Sequence, residues 1–111
     1  MTVNHILTMT PFRLVAGQEG GENEISGVYI SDLLSDVMGK TQPGQLWLTI
    51  QGHSNIVAVA ALKELAAILI TGNNPADPLT LEKAEQEKIP ILVTDMTSYQ
   101  AACCLCRLNL Q

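Results

Sequence analysis

Four short polar segments interrupt an otherwise apolar chain: Ser31-Asp32, Gln51-Gly52-His53-Ser54-Asn55, Thr71-Gly72-Asn73-Asn74 and Thr94-Asp95. Each follows a run rich in aliphatic residues, which places it at the carboxyl end of an expected strand. In open parallel sheets ligands collect outside those ends, beside helix N-termini. Glycine lets backbone N–H groups approach a ligand closely, and a helix after Ser54 would offer unpaired donors and a partial positive charge. That chemistry suits a small anionic or nucleotide-like ligand. Ser, Thr, Asn and Asp also cap helices and make turns, so a purely structural use of these segments stays open.

His53 is the foremost candidate for proton chemistry, because it stands at a strand end and imidazole titrates near neutral pH. A turn histidine that meets only solvent or backbone is the alternative. Asp32 and Asp95 could share one edge of the sheet, or simply cap the helices that follow. His5 falls in an expected surface helix, and no Ser/His/Asp or Cys/His set assembles, so no enzyme signal emerges. Cys103, Cys104 and Cys106 lie together, but only Cys103 and Cys106 share a helical face. Metal centres normally take four ligands, often from more than one segment. Packing thiols are therefore expected, with no metal and no cofactor. Gly39-Lys40-Thr41 imitates the tail of a phosphate-binding loop, yet Leu34 occupies the place of the first glycine and the triplet follows a helix.

The elements that would position these residues follow a strand-then-helix rhythm. Thr2 caps a short opening helix, Phe12–Ala16 reads as a strand, and Gly17 to Gly21 as a loop. A second strand, Ile25–Ile30, leads to a short helix stopped by Gly39. Leu46–Ile50, Ala67–Ile70 and Ile91–Thr94 are buried strands. Between them come a helix from Asn55 to Leu65, capped by Ser54, and one from Pro78 to Lys88, begun by Asp77. Thr97 or Ser98 caps a final helix to about Leu108. Strands joined by helical crossovers run parallel. The expected fold is α/β, a single small domain over residues 1–111 with a mainly parallel sheet flanked by helices.

Composition narrows the partners. The 111 residues are 47% hydrophobic and 15% charged, with 11 Asp+Glu against 6 Lys+Arg and a net charge of −5. The scattered basic residues form no patch for a phosphate backbone, which argues against nucleic acid. No apolar run reaches the roughly 20 residues that span a bilayer, and no signal peptide is visible. Clustered, unpartnered cysteines suit a reducing cytoplasm. The chain is nevertheless apolar for its size. On the last helix, one stripe (Ala101, Cys104, Leu105 and Leu108) suffices to cover the sheet, yet Tyr99, Ala102, Cys103, Cys106 and Leu110 form a second. A homodimer with that second stripe in its interface is expected.

The segments SGVYISDLLSDVMGK, PGQLWLTIQGHSNIVAVAALKELAAILITGN and EKIPILVTDMTSYQAA, together with the opening FRLVAGQEGGENEI, span nearly the whole chain. Their order resembles the DRTGG-domain family, specifically its short stand-alone bacterial members. It is also similar to the N-terminal domain of HPr kinase/phosphorylase, which has a comparable opening strand, glycine loop and Ile-Pro strand. Relatives that accompany CBS pairs or phosphotransacetylases imply an accessory or regulatory role. The strand-end loops depart from the family letters: they read Gly52-His53-Ser54 and Thr71-Gly72-Asn73, with no Asp-Arg pair and an asparagine for the last glycine. That puts the family's ligand in doubt for this chain. The HPr kinase phosphate loop belongs to a separate domain, so the resemblance implies no kinase activity. The expectation is a non-catalytic, ligand-sensing module. The alternative is an adaptor subunit for redox or signalling enzymes with no small ligand.

Overall fold

Continuous aliphatic runs make strands that are covered on both sides, and three of them form the centre of a five-stranded sheet. The computed structural model describes residues 1–111. The helices are α1 (Val3–Met9), α2 (Leu34–Lys40), α3 (Asn55–Leu62), α4 (Pro78–Glu87) and α5 (Ser98–Cys106). The strands are β1 (Arg13–Ala16), β2 (Gly27–Ile30), β3 (Gln45–Thr49), β4 (Ala67–Ile70) and β5 (Ile91–Val93), and one 3-10 turn covers Gln18–Gly20. The sheet order is β1-β5-β4-β3-β2. Strands β2 to β5 are parallel neighbours, and β1 adds antiparallel to β5.

The period-two alternation of strand side chains splits the core into two layers. Leu46 and Leu48 of β3, Ala67 and Leu69 of β4 and Leu92 of β5 pack with Val3 and Ile6 of α1 and Ala101 and Leu105 of α5. Trp47, Ile68, Ile70 and Ile91 pack on the opposite face with Val37 of α2, Ile56, Val57 and Ala60 of α3, and Ala84 of α4. The expected mainly parallel α/β domain is therefore an α/β/α sandwich. Because β2, β3, β4 and β5 step in one direction, their three crossover helices share one face, while α1 and α5 cover the other.

The ends of several elements differ from the sequence expectation. Helix α2 runs through Gly39 to Lys40, since a Cβ at Gly39 would meet nothing and one glycine in a last turn costs only about 1 kcal/mol. Helix α3 stops at Leu62, where the chain turns through Glu64 at φ 57°. Helix α5 ends at Cys106. Strand β2 begins only at Gly27. No helix is long and apolar enough to cross a membrane.

Candidate functional site

All four polar segments foreseen at strand ends do gather at one end of the sheet, but most of their polar groups bond to each other. The clearest case is Asp32. Its Oδ1 accepts from the Thr49 hydroxyl and from the Ile50 amide, each at 2.8 Å, and its carbonyl accepts from the Gln51 side-chain amide. Asp32 does not cap α2, whose N-cap is Leu33 without a side-chain bond. It clasps the loop after β2 to the end of β3. Ser31 belongs to the same clasp: its hydroxyl accepts from the Leu33 amide at 3.2 Å, and its carbonyl accepts from the Trp47 indole at 2.8 Å.

Gly52 carries a structural duty rather than a ligand-approach one. A Cβ there would run into the Pro75 carbonyl oxygen. The Gly52 carbonyl accepts from the Asp77 amide at 3.0 Å and from the Thr80 hydroxyl at 2.6 Å. The loops after β3 and β4 are thus packed backbone to backbone. Asp77 flanks Pro78 as the sequence indicates, but its side chain makes no capping bond.

Between β4 and β5 the connections part company. Helix α4 leaves towards the β3–Trp47 face and α5 towards the other, which is the arrangement that opens a crevice in doubly wound sheets. Here the two loops are stitched across it: the Gly72 amide donates to the Met96 carbonyl at 2.6 Å and the Asn73 amide to the Thr94 carbonyl at 3.0 Å. The Asn74 side chain donates to the Thr71 carbonyl at 2.9 Å, and the hydroxyls of Thr71 and Ser98 lie 2.7 Å apart. The Thr94 hydroxyl accepts from the Met96 amide at 3.2 Å. Asp95 is exposed and makes no ion pair.

The start of α3 differs most from expectation. Ser54 makes no side-chain capping bond. The Asn55 amide donates to His53 Nδ1 at 3.1 Å, the Ile56 amide to the His53 carbonyl at 3.1 Å and the Val57 amide to the Ser54 carbonyl at 3.1 Å. The first turn of α3 is therefore closed by its own chain. The donors that stay free lie just before it, in the successive amides of Gly52, His53 and Ser54, for which no acceptor exists within the protein. His53 is exposed. With Nδ1 accepting, its neutral ring carries the proton on Nε2, which leaves a fourth donor available beside the three amides.

The charge around this end is mostly negative, with Asp32, Asp77 and Asp95 nearby. Lys40, Lys63, Lys88 and Arg107 end or follow helices at the far side of the sheet. Arg13, paired in register with Val93, is the basic residue brought to the strand ends by the antiparallel edge strand; the sequence reading passed over it because the direction of β1 depends on long-range pairing. The three concavities of the molecule lie elsewhere. One, of about 380 Å³, opens at the opposite end of the sheet beside Glu24, Glu64 and Glu87. The strand-end surface is a shallow polar one.

On α5, the residues of the second stripe differ in exposure. Tyr99 is 78% exposed, Cys106 is exposed, and Ala102 and Cys103 are half-buried. Leu110 departs from the stripe. The chain turns back through Asn109 at φ 64°, and Leu110 packs against the α1–α5 core together with Cys104. It is not part of an outward face.

The family model described as "DRTGG domain" matches residues 6–108. No curated protein matches the sequence. Among solved structures, the chain is similar to that of the CBS and DRTGG domains of the regulatory region of Clostridium perfringens pyrophosphatase, complexed with its activator, diadenosine tetraphosphate. The TM-score is 0.69 at 14% identity, covering 92% of this chain and 44% of the other. The likeness is one of fold, and the chain spans less than half the length of that relative.

Proposed function

The chain belongs to the DRTGG-domain family, and from that premise we propose that it is a non-catalytic regulatory module that senses a small anionic, nucleotide-like ligand at the carboxyl ends of its parallel strands. The observation that carries this reading is the run of three successive free amides at Gly52, His53 and Ser54, immediately ahead of α3. Successive N–H groups ahead of a helix bind phosphate or carboxylate through their aligned dipoles. The exposed Asn55, Gly72, Asn73 and Asp95 flank that run, whereas Thr71 and Thr94, expected at the ligand surface, are buried and, with Ser31, Asp32 and Gln51, hold the loops in place. The three neighbouring carboxylates disfavour a highly charged ligand. A nucleoside monophosphate therefore fits better than a polyphosphate such as the activator of the pyrophosphatase region. The module works in the cytoplasm and as a homodimer, a state that the exposed stripe of α5 supports.

Amide chemical-shift mapping tests the site. Titrated adenosine monophosphate is expected to move the Gly52, His53 and Ser54 resonances first and to saturate. Shifts confined to other surfaces, or none at millimolar nucleotide, would remove the proposed site. An adaptor role is the second reading, favoured by the groove along α5. A stoichiometric protein partner co-purifying with a chain that ignores every nucleotide tested would select it.

A further inference from the structure

Helix α5 presents a shallow groove of about 380 Å³ lined by Met96, Tyr99, Gln100, Cys103, Cys104 and Arg107. In a chain with 11 acidic residues, the sequence of this helix, SYQAACCLC, has none. Its centre is apolar, and its two ends carry unlike charges that no neighbour within the chain neutralises: Asp95 stands just before the helix and Arg107 just after it, and neither takes part in an ion pair. Tyr99, Cys103 and Cys106 follow the i, i+4, i+7 spacing of a seam between two helices, and Met96, just before the helix, packs inward against the core.

We infer that this face is the seam of a two-fold dimer, in which α5 lies antiparallel to α5 of a second copy with Arg107 opposite Asp95. The inference rests on the homodimer reading and gives it a register. Reversing the helix exchanges its positive and negative ends, so the face is complementary to itself, as a two-fold axis requires. In the same register Cys103 falls opposite Tyr99 of the second copy, so that on each side of the axis a large ring meets a small side chain. Small residues at Ala102, Cys103 and Cys106 let the helices approach to about 8 Å. A second copy is also the partner for which charge matters most. Two chains of net charge −5 repel each other, and that repulsion is weakest across a face free of carboxylates between its ends.

Sedimentation equilibrium of the full chain and of charge-reversed variants tests this. The wild type is expected to dimerise. Tyr99→Lys and Arg107→Glu are each expected to raise the dissociation constant about tenfold or more, the first because it sets a charge against Cys103 in the apolar centre of the seam, the second because it brings like charges together at its ends. The double variant Asp95→Arg with Arg107→Glu is expected to recover most of the loss. A wild type that remains monomeric at about 100 μM would overturn the homodimer reading and this seam together. A dimer indifferent to Tyr99→Lys and Arg107→Glu, or a double variant no better than the single one, would overturn the seam and leave self-association standing. Tyr99 is exposed and outside the core, so its substitution reports on the seam even if Arg107→Glu loosens the end of α5.

Discussion

The carboxylate of Asp32 holds the Thr49 hydroxyl and the Ile50 amide through a single oxygen, Oδ1, at 2.8 Å to each. This joins the loop after β2 to the end of β3, and it uses the very residue that strand-end position and residue type nominate for ligand binding. Hydrogen bonds to a charged group contribute about 1.5–3 kcal/mol apiece, discounted here because Asp32 is exposed. Asp32→Ala is expected to lower stability by about 1–2 kcal/mol in chemical denaturation, and Asp32→Asn by less. Unchanged stability for Asp32→Ala would show that the clasp contributes nothing in solution.

The two strand-end glycines should respond differently to alanine. At Gly52 a Cβ meets the Pro75 carbonyl, whereas at Gly72, with φ at 72°, it meets only the side-chain amide of Asn74 at 3.1 Å. Gly72→Ala is expected to cost about 1–2 kcal/mol, the strain of a left-handed backbone. Gly52→Ala must displace the loop before α4, and is expected to cost more and to shift the amide resonances of Asp77 and Thr80. Equal, small effects would contradict the packed-loop account.

A third prediction concerns pH. The Tyr29 hydroxyl donates to Asp36 at 2.8 Å, and Lys40 lies 3.3 Å from the same carboxylate. The bond from Tyr29, then that from Ser31, hold the Asp36 carboxyl below its ordinary value, and the same pairing holds the Tyr29 phenol above its own. For Asp36 the unfolded chain binds the proton more readily. Its contribution is therefore present above the usual carboxylate pKa and is lost as pH falls through the depressed one. Tyr29 has the opposite sign, with stability present below its usual pKa and lost as pH rises through the raised one. In Tyr29→Phe the Asp36 titration, followed by NMR, is expected to move upwards towards its ordinary value. An unmoved titration would mean that the pair is not formed.

Much of the fold was legible because β3, β4 and β5 are continuous aliphatic runs between helices with one-sided or capped patterns. Thr97 with Gln100 forms a reciprocal cap, and Pro78 starts α4 as its position indicates. The edge strands were harder. Strand β1 is mixed in character, and its antiparallel direction is decided by pairing with β5, distant in sequence. The site divides the same way. The strand rule gathers Ser31, Gln51, Thr71 and Thr94 correctly at one end of the sheet. Which of their groups remain free is decided by contacts such as Gly52 with Asp77 and Gly72 with Met96, which local sequence does not record. Leu110 was misplaced for a similar reason, since a left-handed Asn109 turns it inward.

The free amides of Gly52, His53 and Ser54 are the centre of the functional account, and one of them can be removed with little change of shape. Ser54 has φ −61° and ψ −19°, a backbone that proline adopts, and proline carries no N–H. Isothermal calorimetry with adenosine monophosphate on the wild type and Ser54→Pro, at matched thermal stability, tests the account directly. It predicts saturable binding to the wild type and a loss of about tenfold or more in affinity for Ser54→Pro, the worth of one hydrogen bond to a charged group. Equal affinities for the two proteins, or no heat with either, would contradict it.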